Sequence, residues 1–567
     1  MYPHRTFHFL EPFKGKLFNG DIPTLAEIFQ IAAARYPDKK CLTTYNPDKF
    51  VLTFREARDK ILTLAASLVE NGIKPGDRVI LTGKNRPEWA VAYYAIATAG
   101  AIIVPLDYTL HEDELKNLIE FSEPAAAMVD KEKYDLVKTL LSADAPYYSL
   151  DPEKDNYVLA LGNAPLEKPV PREVNDLVAI LYTSGTTGIP KGVMLSNSNL
   201  VNDCFLAQMN MQIYHTDVFY ALLPVHHAYT MLSVLVVGIA QSAEVVFAKR
   251  LVVKEMLKDL KDGQITIFLG VPMLFNKLIT NIMKGVREKG IVIYSIVRLL
   301  MFISGILKKC GIKVGKKLFG KMILDKANLS SIRICISGGG PLPPSTFRMF
   351  NQLGLDFVQG YGLTETSPIV TLNPIYHFKV KSVGLVLPEI NVKIINPDKD
   401  GRGEIALKGP TVMQGYYKNP SATDAVMDLN GYFYTGDMGY LDKENFLYLT
   451  GRKKNIIVTS GGKNVFPEEI EDRFQLYPEI EQILVRGYYI DGKKKEAAGE
   501  MIEALIYPSE DMRKSGDPDG IQKKLEEIVN NANRQLASYM KIARVRVVDQ
   551  PFEESSTKKI KRYKVNA

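Results

Sequence analysis

The apolar run Leu177-Val178-Ala179-Ile180-Leu181 ends directly in Tyr182-Thr183-Ser184-Gly185-Thr186-Thr187-Gly188-Ile189-Pro190-Lys191-Gly192. A short continuous apolar run of this kind reads as a buried strand. The segment after it offers hydroxyls, open backbone amides and one cation, which together can replace the hydration shell of an anion with several oxygens. A polar glycine loop at a strand end is where α/β folds place ligands. A Walker loop is excluded by spacing. That motif needs Gly, four residues, then Gly-Lys-Ser/Thr, whereas here Ile189-Pro190 separate Gly188 from Lys191, and Gly192 follows the lysine. Alone, the stretch is equally compatible with a surface loop, so its meaning depends on partners elsewhere.

Helical and strand patterns alternate through the first half. Residues 55–72 carry Ala57, Ile61, Leu64, Ala65 and Leu68 at helical spacing, with Gly72 as a stop. Residues 77–81 and 101–106 read as strands around a helix at 89–99, and further strands are expected at 125–129, 177–182, 218–223, 244–248 and 332–337. Such alternation predicts an α/β fold of helix-covered, mostly parallel sheets. From 385 to 451 short alternating strands (391–395, 404–408) predict a small antiparallel β unit. Beyond Gly451 the pattern is α+β: a helix at 467–476, strands at 482–489 and 501–507, a helix at 521–536 and a strand at 543–548. The expected division is a large domain, 1–451, and a small C-terminal domain, 452–567.

Composition narrows the class. With 46% apolar and 24% charged residues, the chain matches a soluble globular enzyme. A net charge of +7 over 567 residues is too small to argue for nucleic acid. Cys41, Cys204, Cys310 and Cys335 are widely spaced, which indicates neither a disulfide framework nor a structural zinc site. The first residues lack the basic-then-apolar pattern of a signal peptide. The expected location is cytoplasmic.

Two more glycine clusters follow: Ser337-Gly338-Gly339-Gly340-Pro341 after an apolar run, and Gln359-Gly360-Tyr361-Gly362-Leu363-Thr364-Glu365-Thr366. In the second, Tyr361 could stack on a planar base, and Glu365 could hold Mg²⁺, a hard cation that prefers oxygen. Downstream stand Tyr434-Thr435-Gly436-Asp437 and Gly451-Arg452-Lys453-Lys454. Singly these read as turns and surface charges.

Together, and in this order, the segments resemble the adenylate-forming superfamily, which includes acyl-CoA synthetases, luciferases and peptide-synthetase adenylation domains. The resemblance runs from about Thr24 to Lys564. It includes Leu223-Pro224-Val225-His226-His227, Thr53-Phe54-Arg55-Glu56 and Asn85-Arg86-Pro87-Glu88-Trp89. It implies two steps: a carboxylate attacks the α-phosphorus of ATP to give an acyl-adenylate and pyrophosphate, and a thiol then displaces AMP. Catalysis would rest on cations and oriented donors rather than on a protein nucleophile.

The resemblance also implies roles. Thr183, Ser184, Gly185, Thr186, Thr187, Gly188 and Lys191 would cradle the β- and γ-phosphates, and Thr183 and Glu365 would hold Mg²⁺. Gly338, Gly339, Gly340 and Pro341 would flank the adenine, with Gly360, Tyr361 and Gly362 beside it and Tyr361 stacked on it. Thr364 would reach the α-phosphate, and Asp437 and Arg452 the ribose. His227 would sit where the carboxylate meets the acyl tunnel; the alternative is an ordinary packed histidine. The family ends in Thr-x-x-Gly-Lys-Ile-x-Arg, whereas this chain has Thr557-Lys558-Lys559-Ile560-Lys561-Arg562. Aligning Ile560 and Arg562 selects Lys559 as the catalytic lysine, with Lys558 in place of the glycine. Lys454 matches the hinge of a mobile small domain, and Gly461, Gly462 and Lys463 a loop that serves the CoA step.

Residues 291–307 form an apolar segment with Arg298 at its centre, and a lysine-rich stretch follows to Lys321. Two readings stand side by side: a helix lying in a membrane surface, with lysines at anionic headgroups, or a helix buried in a large domain. The first would make the protein peripheral on the inner face of the membrane. An insertion here resembles long-chain fatty acyl-CoA synthetases, of bacterial type. The expected substrates are therefore a fatty acid, ATP with Mg²⁺, and CoA, or an acyl carrier protein in its place.

Overall fold

The computed structural model describes residues 7–183, 190–250, 252–459, 463–489, 500–554 and 560–565. Two large sheets carry the first 450 residues. The seven-stranded sheet runs Gly415–Tyr416, Lys191–Ser196, Leu177–Thr183, Ile102–Leu106, Arg78–Thr82, Ala126–Val129, Tyr147–Ser149. Its strands are parallel from Leu177–Thr183 onward and antiparallel before it. In the thirteen-stranded sheet, Lys40–Thr44, Glu244–Phe247, Val218–Ala221, Ile267–Gly270, Ile334–Ser337 and Asp356–Gly362 are successive parallel neighbours. From Asp356–Gly362 the sheet continues with antiparallel strands through Ile369–Leu372, Gly384–Val386, Phe446–Arg452, Phe433–Leu441 and Gly403–Lys408 to Asn391–Ile395. The antiparallel strands expected between 385 and 451 thus share an edge with the parallel sheet.

The helix Pro87–Thr98 lies between the two sheets, and all of its residues are buried. Its sequence explains this: apart from Glu88 it is uncharged and apolar on every side, and a helix apolar all round must be enclosed. Proline at its first turn costs no hydrogen bond. Trp89 and Tyr93 stack at 5.4 Å, which fills the gap with large rings. The helix Phe54–Glu70 begins with a reciprocal cap. Thr53 accepts from the Glu56 N–H, and Glu56 accepts the Thr53 N–H at 2.8 Å. The Thr53-Phe54-Arg55-Glu56 landmark is therefore a capping box.

The small C-terminal sheet pairs Ile480–Tyr488 antiparallel with Met501–Pro508, and Arg544–Val547 parallel on its other side. The helix Pro518–Asn533 covers it with Ile521, Leu525, Ile528, Val529 and Ala532, an apolar stripe at helical spacing. The helix expected at 467–476 is shorter, Pro467–Glu471, and ends in turns.

Arg86 sits at the entry to the central helix. Its guanidinium meets Glu88 at 3.0 Å, Asp151 at 3.0 Å and Asp130 at 3.3 Å. One cation balances three carboxylates here, and burial pushes the Asp130 carboxyl up despite the opposing Lys84 N–H and Arg86. Removing the cation from such a cluster costs about 3 kcal/mol. Arg86→Met should therefore lower the urea midpoint. Without the arginine the folded carboxylates hold protons more tightly than the unfolded ones, so the loss should be larger at pH 8 than at pH 4; a loss that does not change with pH would contradict this account.

Candidate functional site

The carboxyl ends of four neighbouring parallel strands gather residues far apart in sequence. The loop 222–227 follows Val218–Ala221, Val271-Pro272 follow Ile267–Gly270, and Gly338 to Pro341 follow Ile334–Ser337. Tyr361 lies near the end of Asp356–Gly362. This edge, where the sheet turns from parallel to antiparallel, is where open α/β sheets bind ligands.

Tyr361, Asp437 and Arg452 form one connected cluster. The Tyr361 hydroxyl donates to Asp437 Oδ2 at 2.6 Å, and Arg452 Nε meets Asp437 Oδ1 at 2.6 Å. Asp437 and Arg452 are register partners on adjacent antiparallel strands, which explains why they meet although fourteen residues separate them. Burial first, and the Asp437 charge second, hold the Tyr361 phenol far above its ordinary pKa, so it stays a donor. Asp437 is buried, and Thr435 Oγ1 accepts its N–H at 3.0 Å.

Lys191, Tyr416 and Glu365 form a second cluster. Lys191 Nζ lies over the Tyr416 ring at 4.8 Å, and the Tyr416 hydroxyl donates to Glu365 Oε1 at 2.9 Å. Tyr416 reaches both because its strand pairs with Lys191–Ser196 while the Met413 N–H donates to the Glu365 carbonyl at 2.9 Å. The Thr183 hydroxyl points at the Lys191 carbonyl, 3.5 Å away, across the same hairpin. Thr183 and Lys191 are register partners on adjacent antiparallel strands.

The turn Thr364–Thr366 is short and strictly placed. Thr366 Oγ1 donates to the Pro368 carbonyl at 2.8 Å, and the Leu363 N–H donates to that same carbonyl at 3.0 Å. A Cβ on Gly362 would fall 1.6 Å from the Pro368 oxygen, so only glycine fits there. At Gly338 a Cβ would come within 2.8 Å of the Tyr229 ring. Gly339 has φ +78°, which favours glycine by conformation rather than by space.

The His226 and His227 rings lie 4.3 Å apart, tilted at 43°, beside Asp107. His226 is the buried one, with Nε2 3.4 Å from Asp107 Oδ2; His227 keeps part of its surface exposed. Their loop is held by Asn85, whose Nδ2 donates to the Ala221 and Leu223 carbonyls at 2.8 Å and whose Oδ1 accepts the Val225 N–H at 3.0 Å.

Gly451 brings the chain against Phe466 and Glu468, where a Cβ would have no room. Partial burial, then the Arg452 and Arg562 guanidiniums, pull the Lys454 ammonium below its ordinary pKa. Arg562 pairs with Glu471 and donates to the Val485 carbonyl at 3.0 Å. Gln475 reaches the large part of the molecule at the Pro341 carbonyl, 3.3 Å, and at Asn276, 3.1 Å. Lys463 is exposed. Ser184 to Gly188, Gly461, Gly462, Lys558 and Lys559 lie outside the described residues. Sequence reasoning missed Tyr416 and Tyr229, and it took Asn85 only as a landmark. The sole signal for Tyr416 was an aromatic pair after Gly415, at a position set by pairing with a strand more than two hundred residues earlier.

The AMP-binding enzyme family matches residues 29–417, and the AMP-binding enzyme C-terminal domain matches residues 454–567. The chain belongs to the AMP-binding enzyme family. A long-chain-fatty-acid–CoA ligase of Bacillus subtilis is 27% identical over 559 residues, covering 91% of this chain and 89% of the relative. A chloroplastic long-chain-fatty-acid–[acyl-carrier-protein] ligase of Arabidopsis thaliana is also 27% identical, covering 93% and 82%. The solved structure of O-succinylbenzoate coenzyme A synthetase from Bacillus subtilis, in complex with ATP and magnesium ion, has a TM-score of 0.73 at 22% identity and covers 95% of this chain and 99% of that one. The mixed α/β architecture is that of adenylate-forming enzymes.

Two outcomes test this geometry. Gly362→Ala should lower the thermal midpoint by an amount equivalent to about 2 kcal/mol or more, because backbone must move; an unchanged midpoint would show that the turn has slack. Burial first, then the Glu471 charge, pushes Asp472 up to about 7. An unfolded aspartate titrates near ~3.9. Between those values the folded state keeps a proton that the unfolded state releases, so stability falls as pH rises from about 4 to about 7. Asp472→Asn removes this dependence. Its gain in thermal midpoint should grow over that range and level off above it, and parallel curves for the two proteins would contradict the raised Asp472 carboxyl.

Proposed function

We propose that this enzyme activates a long-chain fatty acid with ATP and transfers the acyl group to CoA. The observation that carries the reading is the junction of the Lys191–Tyr416–Glu365 and Tyr361–Asp437–Arg452 clusters through one strand and its turn. It sets a cation and a carboxylate suited to phosphates beside a ring, a carboxylate and a guanidinium suited to a nucleoside. The chain-length reading is supported by the long-chain-fatty-acid–CoA ligase of Bacillus subtilis.

The roles follow from chemistry. Lys191 and the loop from Thr183 to Gly188 offset the charge of the β- and γ-phosphates. Gly338, Gly339, Gly340 and Pro341 border the base, with Gly360 to Gly362 placing Tyr361 against it. Asp437, already an acceptor from Tyr361 and Arg452, takes the ribose hydroxyls. Thr364 donates toward the α-phosphate. The hard oxygen donors Glu365 and Thr183 fit Mg²⁺, which takes few protein ligands and completes its shell with phosphate oxygens and water; when bound, it adds charge neutralisation at the phosphates. The carboxylate oxygen bonds to the α-phosphorus as pyrophosphate leaves. The thiol sulfur then bonds to the acyl carbon as AMP leaves. His227 lines the carboxylate's approach. Lys559 supplies the bridging positive charge in the first step, and Lys454 is the pivot that brings Gly461, Gly462 and Lys463 in for the second.

The Arabidopsis relative favours a second reading of the acceptor, an acyl carrier protein in place of CoA. ATP–pyrophosphate exchange over acids of graded length, with an aromatic acid as control, should peak at long chains. Adding CoA or carrier protein then identifies the acceptor by the thioester formed. Lys559→Ala should abolish exchange yet spare thiolysis of a preformed acyl-adenylate. Exchange peaking on short or aromatic acids would overturn the chain-length reading, and intact exchange in Lys559→Ala would overturn the lysine's role.

A further inference from the structure

The helix Ile291–Lys309 presents its apolar face outward. Val297, Met301 and Ser304 are its buried residues and form one stripe. On the opposite side, Leu299 and Phe302 are each 59% exposed, Ile306 is 49% exposed and Val292 is 67% exposed. A helix on a soluble surface turns its polar side to water. Here the solvent side is the more apolar one, and Ile312, Leu318 and Met322, which follow the helix, are exposed as well. A contiguous exposed apolar patch of this extent marks an interaction surface.

The helix is long and apolar enough to cross a membrane by length and composition, yet it is pinned along its inner side. Lys308 donates to Asn351 Oδ1 at 2.7 Å and pairs with Asp356 at 2.9 Å. A Cβ on Gly305 would meet Gln352 at 2.9 Å. A helix of 19 residues, about 28 Å long, that is docked in this way can only lie flat.

Charge selects the occupant. Between residues 289 and 324 there are eight lysines and arginines and no aspartate or glutamate. Lys308 and Lys313 are used internally on Asp356. Arg298, Lys309, Lys317 and Lys321 have no acidic partner among the described residues. An apolar strip bordered by uncompensated cations matches the boundary between acyl chains and anionic headgroups.

We propose that the outer face of Ile291–Lys309, with Lys309, Lys317 and Lys321, docks the enzyme on the surface of an anionic lipid bilayer. This holds whichever acid is activated. The full chain should co-sediment with vesicles of phosphatidylcholine and phosphatidylglycerol at least tenfold more tightly than with phosphatidylcholine alone, and the preference should weaken in high salt. The combined Leu299→Glu, Phe302→Glu, Ile306→Glu variant should lose at least tenfold in vesicle binding. Its thermal midpoint and its exchange activity in lipid-free solution should be unchanged, which separates a docking defect from misfolding. Lys309→Glu, Lys317→Glu, Lys321→Glu should remove the preference for the anionic vesicles. Wild-type failure to sediment with either vesicle, or full binding by the triple apolar variant, would overturn the proposal. So would a lipid-free dimer that Phe302→Glu dissociates, since the face would then belong to a second copy.

Discussion

The strand Asp356–Gly362 has parallel Ile334–Ser337 on one side and antiparallel Ile369–Leu372 on the other. Reversing direction within a few residues demands a tight turn, and the backbone of Gly362 packed on Pro368 permits one. From that reversal the remaining geometry follows. Tyr361 is left at the sheet's ligand-binding edge, and Thr364 and Glu365 project from the turn. The antiparallel wing brings Asp437 and Arg452 back over Tyr361. The first residue of the same strand, Asp356, anchors Lys308 and Lys313 and so fixes the last turn of the outward-facing helix. Site and helix end are thus tied to opposite ends of one strand, about 17 Å apart at 3.3 Å per residue.

Polar residues inside the molecule are used chiefly to place backbone. Asn85 spends both ends of its amide on the loop that carries His226 and His227. Arg86 balances Glu88, Asp130 and Asp151 at the head of the enclosed helix. Both lie in a segment that a sequence reader notes only as a landmark. Their chemistry is structural: a buried amide or guanidinium that is fully partnered orients its surroundings, and one left unpartnered would cost several kcal/mol.

Beside Phe466, which packs on Gly451, the contacts between the small module and the rest include several polar ones. Gln475 touches Pro341 and Asn276, Lys453 meets Glu404 at 2.6 Å, and Lys454 lies among like charges. These polar contacts can be exchanged for water at little net cost. That suits the proposed pivot at Lys454, which requires the module to leave without dismantling a core.

Much of this molecule was legible in its sequence because the information was local. Apolar alternation located nine of the twenty described large-domain strands to within two residues, since a strand's burial pattern is written in its own side chains. The glycine clusters and the order of Lys191, Tyr361, Glu365, Asp437 and Arg452 identified the family, since the residue types themselves carry the chemistry. Tertiary structure alone decided three things. Tyr416 joins Lys191 to Glu365, because strand pairing across more than two hundred residues creates that meeting. Leu177–Thr183 takes Lys191–Ser196 as an antiparallel neighbour, because the partner of a strand is set by the whole sheet. The apolar side of Ile291–Lys309 faces out, because a helix apolar on most of its circumference contains no instruction about which side to bury; that choice is made by the neighbours it packs against.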